Sequence, residues 1–83
     1  MNIDVRKSAV KDLRSLPDAA KERIHAAIGK LKEFPDVPNC KKLTNFEPAY
    51  RMRVGNYRIL FDVAGGEIEI GRILHRRESY SKS

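Results

Sequence analysis

The hydrophobic positions in the first half of the chain pass from alternating spacing to helical spacing. Ile3 and Val5 alternate with polar residues, which predicts a short strand over residues 2–5. Ser8 is a favourable helix cap, and it precedes an apolar stripe that consists of Ala9, Val10, Leu13 and Leu16. Pro17 ends this helix, because proline lacks the backbone N–H, and the same residue suits the first turn of a second helix.

The second helix has the clearest apolar stripe, which consists of Ala20, Ile24, Ala27, Ile28, Leu31 and Phe34. Pro35 stops the pattern. The opposite face mixes lysine, arginine and glutamate, and interspersed charges are typical of a solvated surface. Residues 35–48 contain three prolines, two asparagines and the pair Lys41-Lys42, so we expect a loop there.

The second half of the chain alternates as strands do, at about 49–54, 57–63 and 67–74. Two-residue turns separate these segments, at Gly55-Asn56 and at Gly65-Gly66. The alternation breaks after Gly71, since Ile73 and Leu74 are adjacent and both apolar, and a β-bulge at Gly71 would account for the break. The whole pattern predicts an α+β fold with a short N-terminal strand, a helical hairpin and a three-stranded antiparallel meander, the helices packing on one face of a small sheet.

Length and composition limit the classes of protein that the chain can represent. Eighty-three residues suit one small domain, and we expect residues 1–83 to form it. No apolar run approaches the roughly 18 residues of a membrane span, and we find no secretory signal pattern, so we expect a cytoplasmic protein. Cys40 is the only cysteine, which excludes an internal disulfide and a cysteine-rich zinc site, and we expect no metal and no cofactor.

Positive charge in the second half is carried mainly by arginine. The net charge is +6, and every cationic position between Lys42 and Lys82 is an arginine, namely Arg51, Arg53, Arg58, Arg72, Arg76 and Arg77. A guanidinium group binds phosphate with two parallel hydrogen bonds, whereas an ammonium group is a less directed point charge. The excess of arginine therefore indicates a polyanionic partner.

The strand pattern also predicts where three of these arginines lie. If Gly55-Asn56 is a two-residue turn, Arg53 lies opposite Arg58, and both share a face with Arg51. The other face is the predicted core face, with Tyr50, Met52, Val54, Tyr57, Ile59 and Phe61. Like charges directly opposite destabilise a sheet by about 0.2–1 kcal/mol, which favours a binding role. The alternative is that the arginines pair with acids of the same sheet, at Asp62, Glu67 or Glu69.

The C-terminal hexapeptide His75-Arg76-Arg77-Glu78-Ser79-Tyr80 combines an imidazole, two guanidinium groups, a carboxylate and a phenol. Cleavage of RNA without a metal needs a group that takes the 2′-OH proton, cations for the charged phosphorane, and an acid for the leaving 5′-oxygen. The hexapeptide and the predicted arginine face contain candidates for all three roles.

These segments resemble a known family. Residues 50–61, with the sequence YRMRVGNYRILF, then Ile68-Glu69-Ile70 and the C-terminal hexapeptide, are similar to the RelE/ParE superfamily of toxins from toxin–antitoxin modules. The resemblance spans nearly the whole chain, and the hexapeptide is similar to the RelE branch. It implies a RelE-like fold and an mRNA endonuclease (an mRNA interferase) that acts on the ribosome through 2′-OH attack. It also implies a cognate antitoxin, which we expect to be acidic, encoded nearby and bound in a hetero-oligomer.

The resemblance also implies roles for individual residues. Arg51 and Arg53 match basic positions of the strand that grips the RNA, and Arg58 matches the arginine beside the scissile phosphate. Arg76 matches the arginine that stabilises the transition state. Tyr80 matches a C-terminal tyrosine that acts as general base or as a stacking group, although only three residues separate it from Arg76.

Four further residues are candidates for RNA binding or catalysis. Lys41, Lys42 and Arg77 are candidate RNA contacts. His75 is a candidate catalytic group, because imidazole exchanges protons near neutral pH, and the alternatives are packing or antitoxin contact.

A ParE-like toxin that inhibits DNA gyrase by binding, without nuclease activity, is the alternative function. An inactive relative or a simple RNA-binding module is the third.

Overall fold

The structure, a computed structural model, describes residues 2–42 and 49–75. In chain order the elements are β1 (Asn2–Val5), α1 (Lys7–Arg14), α2 (Asp18–Lys30), a 3₁₀ turn (Leu31–Glu33), β2 (Cys40–Lys42), β3 (Tyr50–Val54), β4 (Tyr57–Ala64) and β5 (Glu67–His75). Within these ranges no helix is long and apolar enough to cross a membrane. The predicted α+β fold and the order of its helices and meander are confirmed.

The strands form one sheet in the order β1-β5-β4-β3-β2. The meander β3-β4-β5 is antiparallel, and β1 joins it in parallel beside β5. The predicted bulge is confirmed, because Leu60 lies opposite Arg72 and Phe61 lies opposite Ile70, which leaves Gly71 as the extra residue on β5. The bulge therefore restores the apolar face of β5 after Gly71.

The prediction of a loop over residues 35–48 is wrong at residues 40–42, and residues 43–48 lie outside the described residues. These residues form β2, which pairs antiparallel with β3, with Lys41 opposite Arg51 and Lys42 opposite Tyr50. Asn39 turns the chain into this strand with a positive φ of 66°, a conformation that asparagine tolerates. The surrounding prolines lie outside the paired residues, so β2 loses no hydrogen-bond donor of its own.

The helix ends differ from the sequence expectations in two places. Ser8 does not cap α1, because the helix begins one residue earlier at Lys7, and the Ser8 hydroxyl instead donates to the carbonyl oxygen of Gly71 at 2.6 Å. The second helix is α-helical only to Lys30, and its last turn tightens to 3₁₀. Leu31 in that turn is still fully buried, so the apolar stripe continues although the helix type changes.

Both helices pack on the same face of the sheet. The largest fully buried side chains come from helix and sheet alike, and they are Phe61, Ile24, Leu31, Ile59, Ile68 and Ile70. Met52 and Ile73 join this core, whereas Ile28 is only partly buried at its margin. Leu74 is buried but lies outside this cluster, which places it on the opposite face of the sheet.

The first helix closes the edge of β5 where β1 has ended. The backbone N–H of Arg6 donates to Ile70, and one turn of α1 separates Ser8 from Asp12. The Asp12 carboxylate accepts from the backbone N–H of Ile73 at 2.9 Å, while Ser8 bonds Gly71. Two side chains of α1 thus satisfy backbone groups that an edge strand would otherwise present to solvent.

Candidate nucleic-acid interface

The cations of the meander lie on the face of the sheet away from the core. The predicted register is confirmed, because Arg53 lies opposite Arg58. Arg58 in turn lies opposite Leu74 on β5. In the adjacent row Lys41 lies opposite Arg51, which lies opposite Leu60. We call the surface formed by Lys41, Arg51, Arg53 and Arg58 the arginine face. It crosses three neighbouring strands, and β2, which the sequence did not reveal, adds Lys41 to it.

The members of the arginine face differ in burial. Arg58 is only 3% exposed, and Leu74 opposite it is 8% exposed. Arg51 is half-buried, and Arg53 and Lys41 are exposed. A guanidinium group enclosed to this degree keeps one position, whereas exposed side chains can adapt to a ligand. The face therefore combines one fixed cation with several movable ones.

The two ends of this outer surface carry opposite charge. Asp62 lies opposite Glu69, and Glu69 lies opposite Asp4 on β1. Asp62 accepts a hydrogen bond from the backbone N–H of Ala49 at 2.6 Å. Glu69 pairs with Arg6, with 3.4 Å between the two charged groups. Asp62 is four residues from Arg58 on the same strand, a separation of about 13 Å at the rise of a β-strand.

This separation bears on the alternative that acids of the sheet neutralise the arginines. Glu69 forms an ion pair with Arg6, and Asp12 forms one with Arg72. Neither pair includes Arg51 or Arg53. The exposed side chain of Arg53 and the half-buried side chain of Arg51 are thus available to an anionic ligand, and the acidic end would repel one.

Arg72 is close to the arginine face but has a different environment. Its register position is opposite Leu60, yet its guanidinium group reaches around the edge of β5 to Asp12. Nε and Nη2 donate to the two carboxylate oxygens at 2.8 and 3.3 Å. This ion pair with two hydrogen bonds holds α1 against the sheet, so we assign Arg72 a structural role.

His75 lies on the other side of the sheet from Arg58. It follows Leu74 by one residue and lies opposite Tyr57, whose neighbours Ile59 and Phe61 alternate into the core. The imidazole contacts the Tyr57 ring edge to face, with 5.1 Å between centroids and an angle of 89°. The structure therefore does not bring His75 next to the fixed arginine, and the contact with Tyr57 favours packing among the roles considered for it.

Of the five remaining candidate residues, the structure describes two, Lys41 and Lys42. Lys41 and Lys42 point to opposite sides of β2, since Lys41 lies opposite Arg51 and Lys42 opposite the core-facing Tyr50. Arg76, Arg77 and Tyr80 lie outside the described residues. Only the first of the two lysines thus belongs to the arginine face.

The structure also locates the cysteine and the other side-chain types that can bind a metal, within the described residues. Burial raises the pKa of the Cys40 thiol, which lowers the fraction present as the nucleophilic thiolate. Within residues 2–42 and 49–75, no three His, Cys, Asp or Glu side chains are grouped closely enough to hold a metal ion. The strongest chemical feature of these residues is the positive charge of the arginine face.

Comparison with known proteins agrees with the resemblance noted in the sequence. A family model described as the ParE toxin of the type II toxin–antitoxin system parDE matches residues 3–80. The toxin RelE3 of Methanocaldococcus jannaschii is 34% identical over 84 aligned positions, which cover 96% of each chain. The family model thus has a ParE description, whereas this relative has a RelE name.

Solved structures show the same fold. The RelB-RelE antitoxin-toxin complex of Methanococcus jannaschii matches 95% of this chain and 96% of its own, with 33% identity and a TM-score of 0.78. The match to the toxin-antitoxin complex RelBE2 of Mycobacterium tuberculosis covers 90% of this chain and 96% of that chain, with 28% identity and a TM-score of 0.76. On sequence and fold together, the chain belongs to the RelE/ParE superfamily of toxins from type II toxin–antitoxin systems and is RelE-like.

Proposed function

We propose that the protein is a ribosome-dependent mRNA endonuclease that inhibits translation. The observation that carries this proposal is the arginine face, where the nearly buried Arg58 is flanked by Arg51, Arg53 and Lys41. Fixed cations stabilise charge that develops in a transition state, because they need not reorganise when the charge appears. Movable cations suit the ground-state grip on an RNA backbone.

The proposed reaction is an internal transfer within the RNA and uses no metal. The 2′-oxygen attacks the adjacent phosphorus while the bond from phosphorus to the 5′-oxygen breaks, which leaves a cyclic phosphate and a new 5′-hydroxyl. The 2′-OH proton passes to a base, and the leaving oxygen takes up a proton. In this scheme Arg58 stabilises the phosphorane, and Arg51, Arg53 and Lys41 hold neighbouring phosphates.

The proton transfers belong to the segment that follows β5. We assign Arg76 to the phosphorane beside Arg58, Tyr80 to proton transfer or base stacking, and Arg77 to RNA contact. The support for this assignment is the family resemblance of the C-terminal hexapeptide. His75 has a smaller part in the proposal, because its ring contacts Tyr57 on the opposite side of the sheet.

The proposal includes a cognate antitoxin as the physiological partner. The related RelE proteins of Methanococcus jannaschii and Mycobacterium tuberculosis are found in complexes with RelB-type antitoxins. A net charge of +6 favours an acidic antitoxin, which would also shield the arginine face from RNA. We expect the hetero-oligomer to form in the cytoplasm, where messages are translated.

The second candidate is a ParE-like toxin that inhibits DNA gyrase by binding and cleaves nothing. The observation in its favour is the ParE description of the family model that matches residues 3–80. A toxin that acts only by binding has no need for the chemical groups of the C-terminal hexapeptide. The resemblance of this hexapeptide to the RelE branch therefore favours the nuclease.

One experiment distinguishes the two candidates. Purified toxin is added to a reconstituted translation system, and primer extension on the message maps new 5′ ends with ribosomes, without ribosomes, and with antitoxin. The nuclease predicts codon-positioned breaks that require translating ribosomes and disappear when antitoxin is added. An intact message in this system, together with gyrase-linked DNA breaks when the toxin is incubated with gyrase and plasmid DNA, would support the ParE-like alternative instead.

A further inference from the structure

A shallow groove lies between α2 and the end of β3. It encloses about 310 Å³, at the small end of the range for ligand sites. Its apolar floor includes Ala27, Met52 and Val54, and its cationic rim consists of Arg23, Lys30 and Arg53. The volume is enough for the sugar and phosphate of one nucleotide.

The rim combines cations from two elements that are distant in sequence. Arg23 and Lys30 belong to α2, and Arg53 belongs to β3. Nη1 of Arg23 lies 3.6 Å from the position that a Cβ atom would take on Gly55, so this guanidinium group lies over the turn between β3 and β4. The groove therefore has two cations on its helix side, and Arg53 borders it at the end of β3.

The lining of the groove offers these cations no acid as a partner. The described residues that form it include no aspartate or glutamate. The ion pairs that Arg6 and Arg72 form involve no residue of the groove. A concave surface with three cations and no lining carboxylate suits an anionic ligand.

Arg53 connects the groove to the arginine face. The last residue pair between β2 and β3 is Cys40 with Met52, and the N–H of Arg53 then bonds the carbonyl oxygen of Asn39. Beyond that bond β3 is the edge of the sheet, so a strand of RNA can pass from the outer surface to the helix side there. Arg53 also lies opposite Arg58, the fixed cation of the face.

We propose that this groove is a second phosphate-binding subsite, which holds single-stranded RNA as it leaves the arginine face. This inference rests on the proposed nuclease function, because the arginine face must bind RNA first. Continuity through Arg53 and the small volume favour an RNA backbone over an acidic helix of a protein partner, which needs a longer apolar groove. The subsite would extend the bound RNA by about one nucleotide.

The test compares two double variants that each lose one arginine and one lysine. The groove variant is Arg23→Gln with Lys30→Gln, and the control is Arg14→Gln with Lys7→Gln, whose residues are exposed on α1 beside β5. Affinity is measured by fluorescence anisotropy with 2′-O-methyl RNA, which cannot be cleaved, in a short and a long form. Salt titrations are run for each variant with each RNA.

The groove variant should bind the long RNA about tenfold more weakly, and its salt slope should fall by about 0.7 for each phosphate that the variant no longer neutralises. The short RNA, confined to the arginine face, should be unaffected, and the control should match the wild type with both. Equal reductions in affinity for the two variants, or wild-type affinity in the groove variant, would overturn the subsite. A weaker affinity for antitoxin with unchanged RNA affinity would also overturn it, and would assign the groove to the antitoxin.

The outcome also separates the subsite from the proposed function. If the wild type cleaves translated messages but the groove variant binds long RNA normally, only the subsite is wrong. If the wild type neither binds RNA nor cleaves it, the proposed function fails and the subsite fails with it.

Discussion

At the scale of single residues, burial separates the side chains that hold the fold from those at its margin. Ile24 is fully buried in the core, whereas Ile28, one turn further along the same apolar stripe, is only partly buried. The helical spacing predicts both for the core, because periodicity gives the direction of a side chain but not the depth of its neighbours. The sequence therefore identifies the stripe without ranking its members.

This difference gives a stability prediction. Ile24→Ala should lower the free energy of unfolding by about 2–5 kcal/mol, since it removes buried methyl groups and leaves a cavity. Ile28→Ala should cost about 1–2 kcal/mol, because part of that side chain already contacts solvent. Urea denaturation of the two variants checks this order. Equal destabilisation would contradict the burial that separates the two residues.

The position of His75 gives a second prediction at the same scale. His75→Phe should retain mRNA cleavage and the melting temperature, because a phenyl ring can keep the edge-to-face contact with Tyr57. His75→Ala should lower the melting temperature and leave cleavage intact at temperatures where the variant is folded. Loss of cleavage in a stable His75→Phe variant would show that the imidazole takes part in the chemistry.

At the scale of secondary-structure elements, local turn chemistry predicts more than long-range pairing does. The turn at Gly55-Asn56 fixes Arg53 opposite Arg58, and the break in alternation locates the bulge at Gly71; the structure confirms both. The side of the sheet on which His75 lies follows from the same bulge, since parity counted from Gly71 places it with Ile73. The sequence alone could therefore have placed His75 on the core side of the sheet.

Other features depend on residues that are far apart in the chain. β2 forms because residues 40–42 meet β3, and three residues between prolines show no alternation long enough to predict a strand. The groove beside α2 likewise needs the end of β3 to lie against Arg23 and Lys30. A solvated face is the natural interpretation of those helix positions until the neighbouring strand is known.

The contact between α1 and β5 gives a prediction for an element. Asp12→Ala removes the acceptor for the Ile73 N–H and for the guanidinium group of Arg72. The free energy of unfolding should fall by about 1–3 kcal/mol, because a part-buried donor loses its partner. Arg14→Ala, an exposed change on the same helix, should stay within about 0.5 kcal/mol of the wild type. Urea denaturation measures both changes, and similar denaturation curves for the two variants would contradict the role of α1 in closing the edge of β5.

At the scale of the whole molecule, the charge of the outer surface is divided into two ends. The arginine face lies at one end, and Asp4, Asp62 and Glu69 lie at the other. An RNA strand bound to this surface is therefore attracted to one half and repelled by the other, which limits where it can lie. The net charge does not reveal this division, because the division depends on the register of all five strands.

Salt dependence tests this division. Arg51→Gln and Arg53→Gln should each weaken RNA binding and reduce the slope of log affinity against log salt by about 0.7, the value for one phosphate contact to a single strand. Lys7→Gln, an exposed change on α1, should leave the slope unchanged. The measurement is fluorescence anisotropy with uncleavable RNA between low and physiological salt. A slope that falls equally in all three variants would show that the total charge, and not the arginine face, attracts RNA.

The most direct test of the nuclease concerns the fixed cation of that face. Single-turnover cleavage of a message on translating ribosomes is followed by primer extension for the wild type, Arg58→Gln, Arg58→Lys and the control Lys7→Gln, with antitoxin binding as the check on folding. Removal of one charged hydrogen bond to the phosphorane should slow Arg58→Gln by about 10²–10³ while ground-state RNA affinity changes little. Arg58→Lys should be intermediate, because it keeps the charge without the two-pronged geometry. Cleavage at the wild-type rate by an Arg58→Gln protein that still binds its antitoxin would contradict the account.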